Sequence, residues 1–180
     1  LKMFIHAEDG EAGSFNQGEL VGFIRMGNDF TQNYYQIEIP LRESSGATNA
    51  SPTEVWPEEN EIDIPLELLE KIKALGISQG SLGNDVPTFY NVIDGELQEN
   101  PVLEFAPFSL NPNAIEQRIA IKGNPNFGDI RTLMVGVKNI SDTNSQCAEV
   151  WFNELRLADM DNEGGWAAIM SMDSNIADFM

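Results

Sequence analysis

Cations are scarce in this chain of 180 residues: Lys and Arg number 10 against 29 Asp and Glu, for a net charge of −19. So acidic a chain repels phosphate backbones, which argues against nucleic-acid binding. It also lacks the basic patch that would hold an anionic membrane surface. One cysteine, Cys147, excludes an intrachain disulfide and any multi-cysteine metal site, and one histidine, His6, excludes sites that need two. No apolar run approaches the roughly 18 residues of a membrane-spanning helix. There is no Gly-rich phosphate loop of either common kind, and no G-x-S-x-G nucleophile elbow. No signal peptide is present either. The chain opens inside an apolar segment, Leu1-Lys2-Met3-Phe4-Ile5, as an excised fragment would, so that lack says nothing about compartment.

What is present is a globular composition, 42% hydrophobic and 22% charged, in a length that suits one domain and buries roughly 70% of its unfolded surface. The dominant period is 2. Met3, Ile5 and Ala7 alternate with Lys2, Phe4 and His6. In Asn33–Leu41 the apolar Tyr35, Ile37, Ile39 and Leu41 share one face, and Tyr34, Gln36 and Glu38 the other, which reads as a strand with one wetted side. Further strands are expected at Glu19–Met26, Phe89–Ile93, Val102–Phe105, Arg118–Lys122, Thr132–Lys138 and Glu149–Leu157. Gly27-Asn28-Asp29, Asp94-Gly95 and Gly123-Asn124-Pro125-Asn126 punctuate these runs as turns, the first as a hairpin. One helix is expected, capped by Asp63, with Pro65 in its first turn, Leu66, Leu69, Ile72 and Lys73 at helical spacing, and Gly76 as its stop. About eight strands, one short helix and long loops predict an all-β, antiparallel two-sheet sandwich of jelly-roll type, similar to carbohydrate-binding modules. The domain is expected to span residues 1–163. After Gly164-Gly165 the pattern changes, and residues 164–180 read as a tail outside the sandwich core.

Residues that could carry chemistry are few. A Ser–His or Cys–His pair would have to use His6, which as a strand residue reads better as packed or solvated. Cys147 has no cation nearer in sequence than Lys138 and Arg156, and reads as an inert thiol. Carboxylate pairs for glycoside hydrolysis are too common among 29 acids to be informative. Trp56, inside the acidic run Glu54–Glu61, is a candidate stacking platform for a sugar or a partner, as are Tyr34 and Tyr90 if a concave face exposes them. Asp159, Asp161 and Glu163, with Gly164 following, resemble the first half of a calcium loop. Its twelfth position would be Met170 and not the bidentate Glu, so calcium is only a weak candidate and no other cofactor is expected.

Three stretches together resemble the SprA/Sov family of the Bacteroidetes. They are LKMFIHAE, then FIRMGNDFTQNYYQIEIPL with EVWPEENEIDI, and finally KGNPNFGDIRTLMVGVKN followed by AEVWFNELRLADMDNEGGWAA. These are very large outer-membrane, cell-surface proteins of gliding motility and type IX protein secretion. The resemblance implies that the parent is the translocon, a giant barrel of roughly 36 strands, and that this chain is one soluble, non-catalytic domain between barrel strands. It implies partners among the secretion and motility machinery, with secreted cargo reached through the parent. It makes Trp166 onwards the start of a barrel strand, through which isolated copies could self-associate. A carbohydrate-binding module of a cell-surface protein is the alternative reading of the same residues, and a two-carboxylate glycosidase a more distant one.

Overall fold

The computed structural model describes residues 1–111 and 113–158. Its strands are β1 (Lys2–Asp9), β2 (Leu20–Gly27), β3 (Tyr34–Pro40), β4 (Glu61–Asp63), β5 (Thr88–Ile93), β6 (Glu96–Val102), β7 (Glu116–Lys122), β8 (Thr132–Asn139) and β9 (Ala148–Arg156). Two α-helices join them, the single turn α1 (Pro52–Val55) and the longer α2 (Leu66–Ser78). The strands form two antiparallel sheets, β4-β1-β9 and β6-β5-β7-β3-β2-β8. This is the two-sheet sandwich that the period-2 runs predict, divided unevenly into three and six strands.

The interior follows from strand alternation. Met3, Ile5 and Ala7 from β1 meet Ile24 and Met26 from β2, Tyr35, Ile37 and Ile39 from β3, and Ile119 and Ile121 from β7. Each of the Met and Ile side chains among them contributes roughly 1.5–3 kcal/mol by leaving water. The sheets approach closely where β2 carries Gly22: a Cβ there would lie 2.6 Å from Ile5 Cδ1. Beyond β4, α2 completes the core with Leu68, Leu69 and Ile72.

The helix departs from its sequence signals at both ends. Asp63 does not cap it; it closes β4 and pairs with Lys2 at 2.9 Å, and Pro65 takes the cap position. Gly76 does not stop it; it lies within the helix, where a side chain would collide with Leu82. The chain turns only at Gly80, with φ +68°. Leu103–Phe105, expected to be strand, follow β6 as loop.

The expected wetted side of β3 is absent: all seven of its residues are buried. The segment 103–110 crosses that face and is tied down by Arg118, whose guanidinium donates to the carbonyls of Glu104 (3.1 Å) and Ala106 (2.9 Å) and lies 4.1 Å from the Phe108 ring. Beneath it, Glu38 is fully buried, with Lys138 Nζ at 2.6 Å and Arg118 Nη1 at 3.9 Å. Gln36 donates to the same carboxylate, and Arg25 Nε donates to Gln36 at 2.7 Å. Burial lowers the Arg118 pKa, and Glu38 and Glu116 pull it back up.

The Gly-Asn turns meet in space. Asn33 Oδ1 accepts from Asn124 N–H at 3.0 Å, and Asn28 Oδ1 from Asn126 N–H at 3.0 Å. Gly27 and Gly123 allow this, since a Cβ on either would strike the opposing backbone. Asp29 organises the β2–β3 connection by accepting from the N–H groups of Thr31 (2.8 Å) and Asn33 (3.2 Å) and from Gln32. The side chain of Asn33, then these N–H groups, hold the Asp29 pKa far below the usual carboxylate range.

Two outcomes follow from these contacts. Glu38→Gln removes the charge beside fully buried Arg118, while Lys138 keeps Glu104 at 3.9 Å; it should cost about 3–5 kcal/mol in urea unfolding, whereas replacing Glu38, Arg118 and Lys138 together with apolar residues should cost much less. Asp29 has a depressed folded pKa, so its contribution is complete above the unfolded value of about 3.9 and is lost only as pH falls through the lower folded value. The amide resonances of Thr31 and Gln32 should therefore hold their positions from pH 7 to about pH 4 and move only in stronger acid.

Candidate interaction surface

The sequence-predicted aromatics separate into packed and exposed. Tyr34 is buried under the Arg25 guanidinium, 4.0 Å above its ring. Tyr90 is buried in the core, with its hydroxyl donating to Gln79 Oε1 at 2.8 Å. Neither offers a ring to a ligand, so the condition on which they were candidates, exposure on a concave face, is not met. Trp56 is half-buried over the outer face of β1, edge-on to Phe4 (6.3 Å) and to His6 (5.5 Å). On the other side of His6 lies Trp151 of β9, 5.0 Å away and 45% exposed. The sequence pattern marks Glu149–Leu157 as a strand but does not single out Trp151, whose exposure depends on β9 ending a sheet.

His6 is a linker. Its Nδ1 lies 2.8 Å from the Val55 carbonyl, which can only accept, so that nitrogen carries the proton. The contact fastens α1 across the small sheet. Glu54 at the start of α1 accepts from Ser51 N–H at 2.7 Å, and that contact lowers its pKa. Cys147 is partly buried and packs against Gly10 and Gly13.

Carboxylates gather at the end of the sandwich near β4. Glu58, Glu61, Asp63 and Asp94 line a cleft of about 260 Å³. Burial raises the Glu61 pKa, Lys2 opposes that rise, and the charges of Asp63 and Glu58 add to it. Among the described residues no three His, Cys, Asp or Glu are placed to hold a metal ion. Asp159, Asp161 and Glu163, the tail from Gly164 with Trp166, and the expected boundary at residue 163 lie outside the described residues.

The strongest surface feature is the side where both sheets end. β8 closes the large sheet and β9 the small one, and the two strands follow each other in the chain through residues 140–147. On β8, Leu133, Val135 and Val137 stand opposite Met26, Ile24 and Gly22 of β2, so they point between the sheets. They are nevertheless 52%, 41% and 42% exposed. On β9, Val150 and Phe152 point inward opposite Ala7 and Ile5 and are only partly covered. Leu155 and Leu157 extend the apolar border.

The other sheet edges are guarded in ways that natural sheets use against stray pairing. β4 has three residues, and its Glu61 carbonyl accepts from Gln117. β6 carries Pro101 and a register shift. β9 is irregular, with Glu154 at φ +56° and a register shift against β1. β8 runs eight residues in unbroken register with β2 and has no proline. Its one charged side chain, Lys138, is turned to buried Glu38.

Trp56 and Trp151 are separable by stability. Trp56→Ala should lower unfolding free energy by about 2 kcal/mol, roughly half the loss of a fully buried Trp, because Trp56 covers Phe4 and His6. Trp151→Ala should cost less than about 1 kcal/mol. A Trp56 that served only as an exposed ligand platform would show no such cost.

Among the described residues no helix is long and apolar enough to cross a membrane. No curated protein matches the chain. The sequence model of the SprA_N family, described as motility related/secretion protein, matches residues 1–180. A match over the entire length means that the chain belongs to the SprA_N family of motility related/secretion proteins.

Proposed function

We propose that the chain is a non-catalytic interaction domain of an outer-membrane protein of gliding motility and type IX secretion, and that it docks to the machinery through the flank bounded by β8 and β9. The observation that carries this reading is the exposure of Leu133, Val135 and Val137, side chains directed between the sheets yet about half open to solvent. Exposed apolar side chains gathered on one flank mark a contact surface. Partners are other components of that machinery, with secreted cargo reached through the parent protein. The net charge of −19 keeps such a domain in solution and away from anionic lipid surfaces.

The test is made in the parent protein. Val137→Asp with Leu133→Asp should abolish secretion and gliding while leaving the amount of parent protein unchanged; unaltered secretion and gliding would overturn the reading. Glycan recognition is the second reading, and half-exposed Trp151 favours it. In that case the isolated chain should bind a surface polysaccharide, and Trp151→Ala should reduce that binding at least tenfold while secretion persists in the aspartate variant.

A further inference from the structure

Antiparallel pairing turns the N–H and C=O groups of alternate residues to opposite sides of a strand. Ile140 N–H donates to the Glu19 carbonyl at 2.8 Å, and the register continues as Val21 to Lys138, Phe23 to Gly136 and Arg25 to Met134. On the other side of β2, Leu41 N–H donates to the Leu20 carbonyl at 2.9 Å, so even-numbered residues of β2 bond to β3 and odd-numbered ones to β8. On β8, therefore, Met134, Gly136 and Lys138 bond inward to β2. Leu133, Val135 and Val137 direct their backbone groups away from the sheet. These are the same residues whose side chains point between the sheets and remain about half exposed.

The coincidence specifies an occupant. A strand laid along β8 would form its hydrogen-bonded pairs with Leu133, Val135 and Val137. In such pairs the two side chains project to the same face. Every second residue of the added strand would thus enter the space bounded by Leu133, Val135 and Val137 on one sheet and by Val150 and Phe152 on the other. Resting on the interaction-domain reading above, we infer that β8 is a strand-acceptor edge that takes an extended segment of another protein, with large apolar residues at alternate positions and neutral or basic neighbours. Charge selects the partner. A second copy would bring a further −19 to a chain already at −19, and Arg118 and Lys138, two of its ten cations, are held by Glu38. A neutral or basic segment meets no such repulsion. Strand addition gains affinity from main-chain hydrogen bonds and selectivity from the alternate side chains.

The experiment measures amide hydrogen exchange in the 180-residue chain by NMR. The probe is a synthetic peptide in which four valines alternate with three threonines between pairs of lysines, at millimolar concentration; the control is the same peptide N-methylated at its valines. The inference expects exchange at Leu133, Val135 and Val137 to slow at least tenfold with the probe, Met134 and Gly136 to stay unchanged, and the N-methylated peptide to have no effect. Absence of protection overturns it. Equal protection by the N-methylated peptide overturns it too, because contact would then be through side chains alone. Protection in the free monomeric chain would assign the edge to the chain's own residues 159–180. Protection that grows with protein concentration, together with a dimer mass, would assign it to a second copy. Either result replaces the proposed partner. A failed peptide experiment alongside a positive secretion assay would remove strand addition and leave the interaction-domain reading standing.

Discussion

The fully buried carboxylate of Glu38 constrains the large sheet more than any other group. It lies on β3, in the middle of that sheet, and a buried anion is tolerated only with close cations and hydrogen bonds. β7 supplies Arg118 and β8 supplies Lys138, so one charge ties its own strand to two others. Arg118 in turn holds the carbonyls of Glu104 and Ala106, which carries the 103–110 segment across the sheet and keeps water from the pair. That far face is therefore a second, polar interior, built on different rules from the apolar one between the sheets.

The two sides of the sandwich are finished differently. Next to β4 the apolar interior is closed by α2, which lays Leu68, Leu69 and Ile72 against it. On the opposite side no helix is placed among the described residues, and β8 and β9 border the interior directly. A domain built in this way has one self-sufficient flank and one whose side chains are only partly covered.

Much of the sandwich was legible because strands write their burial at a period of 2, and β1 shows this from Met3 to Ala7. β3 shows the limit. Gln36 and Glu38 read locally as a solvent face, and only residues 80 to 100 positions later, Arg118 and Lys138, reverse that meaning. The helix shows another limit: Asp63 and Gly76 carry the local signals of a start and a stop, but Lys2 claims the first and Leu82 packs against the second. The candidate aromatics were chosen by type, and type does not say which side of a sheet a ring occupies. Tyr34 and Tyr90 went inside, and Trp56 packed edge-on against Phe4 and His6 of β1. The unguarded edge could not be read at all, since which strand comes last in a sheet is a property of the pairing order and not of any local pattern.

The pairing of β1 with β9 has a consequence in time. β1 is the central strand of the small sheet, and its long partner aligns Asp9 with Ala148 and Lys2 with Arg156. During synthesis Met3, Ile5 and Ala7 are made about 145 residues before the strand that flanks them. Contacts so distant in sequence form slowly, because a long loop must close before they reward it. Until β9 emerges, β1 has among the described residues the three residues of β4 as its partner in the small sheet, and its apolar side chains must be shielded by some other means. Completion of the small sheet thus waits for β9, so the apolar face of β1 gains its long neighbour only after the whole of the large sheet has been made.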